Sequence, residues 1–199
     1  MKNNMAAPPK NPPETTAAET NEQPAASTLS DSFRAAVVAD STLPEPVRRA
    51  LLAGMPLERI TLDEEGRWWH EGDPIDNPRI VELFNRSIER TTGGTYVLHI
   101  APFTYPIEVK DTPFFVRRCE LQGDAARLHL SDGSDEPLEV SSLRYVPDRG
   151  FYCAVKNGSH KARFTRPAYY ALAEHIETED ASGRYVLVLG NTRTSIAAE

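Results

Sequence analysis

Apolar and polar residues alternate along many short stretches of the chain, and a period of two residues predicts β-strands. Turn-forming residues separate these stretches, so we expect largely antiparallel sheets of short strands. The strands predicted in this way cover residues 58–62, 67–71, 95–101, 104–110, 113–121, 125–131, 136–142, 151–156, 159–164, 184–189 and 192–197.

Four other stretches carry apolar residues at helical spacing. They predict helices over residues 30–39, 44–53, 78–90 and 167–177, and prolines at the starts of the last three fit a first helical turn. The expected buried stripe of the third helix is Ile80, Val81, Phe84 and Ile88, and that of the fourth is Tyr169, Leu172, Ala173 and Ile176. The second helix would dock on the body through Leu51, Leu52 and Met55.

The first predicted hairpin contains both tryptophans of the chain. A turn over residues 63–66, closed by a glycine, pairs Leu62 with Trp68 and Ile60 with His70. Neighbouring residues of a strand point to opposite faces, so Trp69 lies on the other face from Trp68. We therefore predict that Trp68 is buried and that Trp69 is the more exposed of the two.

A second hairpin is predicted around Asn157-Gly158, a dipeptide typical of a two-residue type I′ turn. The resulting register pairs Val155 with His160 and Cys153 with Ala162, and it gives the hairpin one mostly apolar face. The opposite face, which we expect to be solvent-exposed, carries Lys156, Lys161 and Arg163.

These three cations and Arg166 lie within eleven residues that contain no acidic residue. Arg166 precedes Pro167 at a predicted helix N-terminus, where free N–H groups favour anions. The cluster therefore predicts a surface that attracts a phosphate-bearing ligand or an acidic partner. A solvated edge that is kept charged against aggregation is the alternative interpretation.

Two parts of the sequence resemble each other at an offset of 89 residues. The matching positions are Pro78 and Pro167, Leu83 and Leu172, Gly94 and Gly183, Ile75 and Phe164, and the tripeptide Tyr-Val-Leu at 96–98 and 185–187. Each copy reads as hairpin, helix, glycine turn and strand, which predicts duplication of one α+β unit. We therefore divide the chain into residues 1–43, a first unit over 44–110 and a second unit over 111–199.

Composition narrows the class of protein. The chain has 199 residues and a formal net charge of −7, which makes general nucleic-acid binding unfavourable. Residues 1–29 are rich in Pro, Ala, Thr and Glu, and we expect a disordered tail that leads into a short helix.

There is no apolar run of about 20 residues and no apolar signal segment at the start of the sequence. The two cysteines, which form no CxxC motif, are expected to be reduced and buried. Together these features predict a cytoplasmic protein that does not enter membranes.

Catalytic motifs are absent from the sequence. Its five histidines are scattered, and no serine or cysteine lies in a nucleophile elbow. His70 with Glu71, Asp73 and Asp76 could supply metal ligands, but acidic residues in turns and caps explain the same pattern. We assign no catalytic residue, metal or cofactor, and an enzyme is the least favoured class.

A set of aromatic, glycine, proline and apolar positions, densest in the first half of the sequence, follows the pattern of a known family. These residues are Gly66, Trp68, His70, Gly72, Pro74, Ile75, Pro78, Val81, Leu83, Phe84 and Ile88, followed by Tyr96, Pro102, Ile107, Val109, Asp111, Pro113, Phe114 and Val116, and more faintly Arg166, Tyr169, Tyr170 and Leu172. Through them the sequence resembles an uncharacterised bacterial family, known as domain of unknown function number 1285. The resemblance covers roughly residues 57–190. The sequence Leu189-Gly190-Asn191-Thr192-Arg193 departs from the family, which has an aromatic residue and small residues there.

The resemblance implies a duplicated α+β core whose second half is similar to a pleckstrin-homology fold. It also implies a ligand site between the halves and a role in nucleotide-linked signalling. No catalytic residue follows from it.

Two classes of function follow from the sequence. The first is a non-enzymatic regulatory module that binds a small anionic ligand, such as a nucleotide, through Lys156, Lys161, Arg163, Arg166 and Trp69. The alternative is a protein-interaction module that uses the Trp69 surface and the N-terminal helices. Basic groups that converge on a cleft would favour the first class, and exposed aromatic and apolar residues would favour the second.

Overall fold

A computed structural model describes residues 30–179 and 184–198 of the chain. The predicted tail over residues 1–29 and the repeat position Gly183 lie outside the described residues. The helices are α1 (Asp31–Ala39), α2 (Glu45–Leu52), α3 (Pro78–Arg86) and α4 (Arg166–Ala173). The strands are β1 (Ile60–Leu62), β2 (Trp68–His70), β3 (Asp73–Pro74), β4 (Ile88–Arg90), β5 (Tyr96–Ile100), β6 (Phe103–Pro106), β7 (Glu108–Val109), β8 (Phe114–Gln122), β9 (Ala125–Leu130), β10 (Asp135–Pro137), β11 (Arg144–Val146), β12 (Gly150–Val155), β13 (His160–Phe164), β14 (Ile176–Glu179), β15 (Arg184–Leu189), β16 (Thr192–Ser195) and β17 (Ala197–Ala198).

Within residues 30–179 and 184–198 the strands form four sheets, and the predicted α+β class is confirmed. Their strand orders are β3-β2-β1-β7 and β4-β5-β6 in the first unit, and β10-β9-β8-β13-β12-β11-β17 and β14-β15-β16 in the second. Most neighbours are antiparallel, as predicted, whereas β1 with β7, β11 with β17, and β13 with β8 are parallel.

Part of the pairing pattern occurs in both units. A hairpin, β1-β2 or β11-β12, is flanked on one side by a short parallel strand, β7 or β17, and on the other by β3 or β13. A helix and a three-stranded antiparallel sheet follow in each unit. The residue just before the short parallel strand, β7 or β17, then makes the same hydrogen bond in both units. Ile107 N–H donates to the Tyr96 carbonyl at 2.9 Å, and Ile196 N–H donates to the Tyr185 carbonyl at 2.8 Å. Strands β8, β9 and β10 belong to the second unit alone.

The predicted C-terminal ends of the two longest helices are wrong. Helix α3 ends at Arg86 rather than residue 90, and α4 ends at Ala173 rather than residue 177. Ile88 and Ile176 fit the helical spacing, but each begins a strand, and they pair with Leu98 and Leu187. The predicted strand over 136–142 is also wrong in part, because residues 140–142 form a 3₁₀ turn that Glu139 caps.

The two helices bury different faces. Helix α3 turns Phe84 and Asn85 toward Trp68, and Ile80, predicted to be buried, is exposed. Helix α4 buries Ala168 and Leu172, lies against β8 and places Tyr169 against Phe151.

The hairpin registers follow the sequence prediction. Leu62 pairs with Trp68 and Val155 with His160. The second turn closes as predicted around Asn157 and Gly158, which have positive φ, at 55° and 81°, because the Ser159 N–H donates to the Lys156 carbonyl at 3.2 Å. Lys156 also has a positive φ, at 54°. Trp68 is buried and Trp69 is half-buried, which confirms the prediction for the pair.

Three apolar clusters support this architecture. One fills the second unit, and another, around Leu62, Trp68 and Ile107, fills the first and takes in Phe115 from β8. In the third, Val37 of α1 and Leu51 of α2 pack against Val97. Leu52 and Met55, which were predicted to share this docking face, are exposed.

Candidate functional site

A cleft of about 470 Å³ lies where the first unit meets the hairpin β12-β13 of the second unit. We call it the junction cleft. Arg90 at the end of β4 and Tyr96 at the start of β5 line its first-unit side. The second unit supplies the rest of the lining: Ser142, Arg144, Tyr152, Cys153, Ala154, Gly158, Ser159, His160 and Lys161.

Strand register explains why two of the cations reach the cleft together. Arg144 lies opposite Tyr152, and Ala154 lies opposite Lys161. Directly paired residues point to the same face of a sheet, so all four share one face. Because Ala154 has a short side chain, it leaves space between Arg144 on β11 and Lys161 on β13.

Neutral groups hold Arg90 and Arg144, and an aromatic ring lies beside Lys161. Arg90 donates to the Gly94 carbonyl at 3.2 Å, and its guanidinium lies 5.5 Å from the centre of the Tyr96 ring. Arg144 donates to the carbonyls of Ser141 and Leu143, both at 2.8 Å. The Lys161 ammonium lies 4.3 Å from the centre of the Tyr152 ring. Within residues 30–179 and 184–198, Arg90 and Arg144 form no ion pair, and no carboxylate lines the cleft.

His160 lies at the wall of the cleft, between the rings of Phe114 and Tyr96. The centroid distances are 5.2 Å to Phe114 and 6.2 Å to Tyr96. Burial lowers the pKa of His160, and the charges of Arg90 and Lys156 lower it further. Its Nδ1 is buried and has no hydrogen-bond partner within the described chain. The lowered pKa favours the neutral imidazole at neutral pH.

Lys156 does not lie on an open surface as predicted. Its ammonium lies 2.7 Å from Asp132 and 3.1 Å from Glu136, and 5.2 Å from the centre of the Phe114 ring. These acids come from β10 and the turn before it, outside the acid-free stretch in which the cluster was recognised. The charge of Lys156 is therefore balanced within the second unit.

Arg163 corrects the prediction of a solvent-exposed face. Its side chain is 18% exposed, and its guanidinium lies 3.6 Å from Asp111. It donates to the Glu64 carbonyl at 2.9 Å and to the Arg149 carbonyl at 3.0 Å. Arg163 therefore joins the two units and does not extend into the cleft.

Asp111, the first residue of the second unit, holds the side chains that make this contact. The Tyr152 hydroxyl donates to it at 2.7 Å, and Arg149 lies 3.3 Å from it. Arg149 also reaches Glu64 of the first hairpin at 2.9 Å. Gly66 packs so tightly on Phe115 that a Cβ there would lie 2.8 Å from the ring. Charged and apolar contacts together hold the units at this place.

The remaining predicted residues lie apart from the cleft. Arg166 is exposed as the first residue of α4. Trp69 donates its indole N–H to Asp63 at 2.8 Å, and Arg67 lies 5.6 Å from the centre of its ring. Of the five predicted site residues, the cleft contains Lys161.

The sequence prediction missed Arg90 and Arg144. Arg90 was assigned to the end of a helix, whereas it ends β4, and Arg144 came after a predicted strand rather than within one. Residues 144–146 show no alternation, because Tyr145 and Val146 are both apolar, so the local sequence gives no strand signal that could have found Arg144.

Other chemistry is sparse within the described ranges. No group of three His, Cys, Asp or Glu side chains among residues 30–179 and 184–198 is placed to hold a metal ion. His70 instead contacts Glu58 at 2.9 Å. Both cysteines are free thiols and buried, as predicted, and burial raises the pKa of Cys119 to about 11 and that of Cys153 to about 12. In the part of the chain that the structure describes, no helix has the length and apolarity needed to span a membrane.

Comparison with known proteins relates this fold to one family. No family model matches the sequence, and no curated protein matches it. A crystal structure of a DUF1285 family protein from Silicibacter pomeroyi DSS-3 is similar, with a TM-score of 0.55 and 21% identity over 69% of this chain and 79% of that one. A second, from Shewanella baltica OS155, has a TM-score of 0.47 and 16% identity over 59% of this chain and 92% of that one. The chain therefore resembles the DUF1285 family, as its motifs predict, and the first likeness shows a shared fold.

Proposed function

We propose that this protein is a non-enzymatic regulatory module that binds a small anionic ligand, such as a nucleotide, in the junction cleft. The observation that carries the proposal is the lining: Arg90, Arg144 and Lys161 meet at one cleft, and among residues 30–179 and 184–198 none of its lining residues is Asp or Glu. The whole chain has a net charge of −7, so a positive concave site stands out against its surroundings.

The chemistry of the cleft suits a phosphate group beside a ring. Arginine can offer a two-pronged set of donors to a phosphate, and lysine adds a point charge. Tyr96 and His160 supply partly exposed rings in the same space, whereas Tyr152 is 1% exposed and lies beneath Lys161. The volume of about 470 Å³ lies within the range of small-molecule sites, ~300–1,000 Å³.

A thermal-shift screen with phosphorylated metabolites tests the proposal. A ligand that binds the native state raises the melting temperature according to its concentration and affinity. We expect nucleoside phosphates to raise it and the corresponding nucleosides to have a weaker effect, because the cations recognise the phosphate.

Matched variants locate the site. In the Arg144→Gln/Lys161→Gln double variant we expect affinity to fall about ten- to a hundredfold for each lost charged contact of ~1.5–3 kcal/mol. Arg166→Gln, which changes an exposed cation outside the cleft, should bind as the wild type does. Arg163 is unsuitable for this test because it also joins the units. Equal affinity in the double variant and the wild type would reject the cleft as the site.

The alternative, a protein-interaction module, is supported by the N-terminal helices. Leu52 is 70% exposed and Met55 57% exposed near the end of α2, beside a neighbour, Leu51, that is buried. Flexible methionines are frequent at surfaces that bind proteins. If the Leu52→Ser/Met55→Ser variant loses a partner that the cleft variant keeps, the interaction class is favoured over ligand binding.

We further propose that the two units arose by duplication and that the second is pleckstrin-homology-like. The recurring pair order around β1-β2 and β11-β12 and the matching hydrogen bonds of Ile107 and Ile196 support duplication. The seven-stranded sheet and helix α4, taken from residues 111–179 and 184–198, are compatible with the second part. A crystal structure in which residues 60–109 and 144–198 fail to superpose strand by strand would contradict the duplication.

A further inference from the structure

In the second unit, β8 occupies the outer edge of β13. The two strands are parallel, with Ala162 opposite Phe114 and Phe164 opposite Val116. Thr165, just after β13, donates its N–H to the Val116 carbonyl at 3.0 Å and its hydroxyl to the same oxygen at 2.8 Å. This added strand covers an edge that would otherwise expose unpaired backbone groups.

The same strand covers helix α4. The helix lies against β8, where Ala168 and Leu172 have become almost inaccessible, with Leu172 at 0% exposure. The edge of β13 and the apolar face of α4 thus form one binding surface, which we call the seat. Strand β8 occupies it.

The corresponding seat of the first unit is empty within the described residues. At the offset of 89, Thr165 corresponds to Asp76, Tyr169 to Ile80 and Leu172 to Leu83. Strand β3 is the edge of its sheet, and the N–H of Asp76 has no backbone partner in the part of the chain that the structure describes. Ile80 is 40% exposed and Leu83 47% exposed. Helix α3, with its other face on Trp68, leaves these two side chains open.

We propose that the β3 edge and the Ile80–Leu83 face of α3 bind an extended, apolar and basic segment of a partner protein, parallel to β3. The segment would take the place that β8 takes against β13 and α4. Strand addition of this kind uses main-chain hydrogen bonds for affinity and side-chain pockets for selectivity. The surface is separate from the junction cleft, so the proposal does not depend on the anionic ligand.

The charge at the seat specifies the partner further. Asp73 and Asp76 are exposed along the edge, and neither forms an ion pair within the described ranges. Strand β8 itself continues from Phe114-Phe115-Val116 into two arginines, Arg117 and Arg118. A segment of the same pattern would bury its apolar residues on Ile80 and Leu83 and place a cation near the two aspartates.

Pro74 limits how the segment can pair. It corresponds to Arg163 at the offset of 89 and has no N–H to donate. The remaining main-chain contacts are the Pro74 carbonyl and the Asp76 N–H, so pairing is short and side-chain contacts with α3 must carry much of the affinity.

A synthetic peptide tests the seat. The probe is the chain's own residues 112–122 with serine in place of Cys119, titrated into ¹⁵N-labelled full-length protein. We expect the amide signals of Asp76, Ile80 and Leu83 to shift and those of α4 to stay. Leu83→Asp should weaken binding at least tenfold without lowering the melting temperature, because that side chain is half exposed in the free protein.

The matched control is Phe103→Asp, which places the same charge at another exposed apolar side chain, 73% exposed on β6, and should bind the peptide as the wild type does. Absence of shifts, shifts confined to α4, or equal affinity in Leu83→Asp and wild type would each overturn the proposal.

Discussion

At the scale of single residues, Trp68 shows how one side chain joins several elements. It is almost fully buried, donates its indole N–H to Asn85 at 2.9 Å, and meets Phe84 edge-on at a centroid distance of 5.2 Å. Asn85 is itself buried, so loss of the indole would leave its amide oxygen without this donor. Strand β2 and helix α3 depend on each other through this contact.

We predict that Trp68→Ala lowers the free energy of unfolding by ~3–5 kcal/mol, as large core truncations do. Urea unfolding monitored by circular dichroism measures the change. The control is Trp69→Ala, in which a half-buried ring is removed and a smaller loss is expected. Equal losses in the two variants would show that both rings are part of the core.

A second residue-scale prediction concerns His160 and pH. The folded protein holds the pKa of His160 below its ordinary value, mainly because of burial. As the pH falls through ~6.5, the unfolded chain binds a proton at this site that the folded chain does not, so stability should fall.

Unfolding free energies at about pH 7.5 and about pH 5.5, on either side of the ordinary imidazole pKa, measure this effect. In His160→Gln the acid loss should shrink, whereas His70→Gln, at an exposed histidine, should keep it. An unchanged loss in His160→Gln would assign the pH dependence to other groups.

The sequence predicted the placement of the tryptophans but not that of Arg163. Alternation along a strand is local, so Trp68 and Trp69 could be assigned to opposite faces from their own stretch. The residues that cover a face of a strand can come from distant parts of the sequence. The Glu64 carbonyl that binds Arg163 lies 99 residues away in the sequence, and no pattern around residue 163 reveals it.

At the scale of elements, Asp40 fixes the N-terminal helices to the body. It follows α1, is 4% exposed, and accepts hydrogen bonds from Thr42 and, across the contact, from Thr91. Burial alone raises the pKa of Asp40, but the hydrogen bonds from Thr42, Thr91 and Thr95 outweigh it and hold the pKa well below its ordinary value. Gly93 lies against the carboxylate, where a Cβ would be 2.0 Å from Oδ1.

We predict that Gly93→Ala destabilises the protein by about 1–3 kcal/mol, because Asp40 must move and lose hydrogen bonds in a buried place. A double-mutant cycle with Asp40→Ala measures the coupling. Gly93→Ala should lower the free energy of unfolding by much less in the Asp40→Ala background, where the carboxylate is absent. Strictly additive costs would contradict a contact between these two residues.

Turn chemistry made some elements predictable and left others open. Asn157-Gly158 and Gly66 set the registers of their hairpins correctly, since few residues accept positive φ. The ends of α3 and α4 were missed because Ile88 and Ile176 satisfy the helical spacing as well as the strand pattern. Pairing with Leu98 and Leu187 places Ile88 and Ile176 in strands, and the local sequence does not reveal this pairing.

At the scale of the whole molecule, the junction cleft exists only because the two units meet. Arg90 and Tyr96 come from one unit, and Arg144 and Lys161 come from the other. The basic cluster at 156–166 indicated the correct hairpin, but its four cations lie in different places in the structure. Lys161 lines the cleft, and Lys156 pairs with acids. Arg163 joins the units, and Arg166 lies on α4. The cations of the cleft are brought together by sheet register and docking, which sequence spacing does not encode.

Chemical-shift mapping tests the central claim, an anion site at the junction of the units, most directly. ¹⁵N-labelled protein would be titrated with inorganic pyrophosphate and with adenosine 5′-monophosphate, and the backbone signals followed. We predict saturable shifts at Ala154, Ser159 and His160 on one side of the cleft and at Arg90 and Tyr96 on the other. Shifts confined to the N-terminus of α4 around Arg166, or no saturable shift with either compound, would contradict the account.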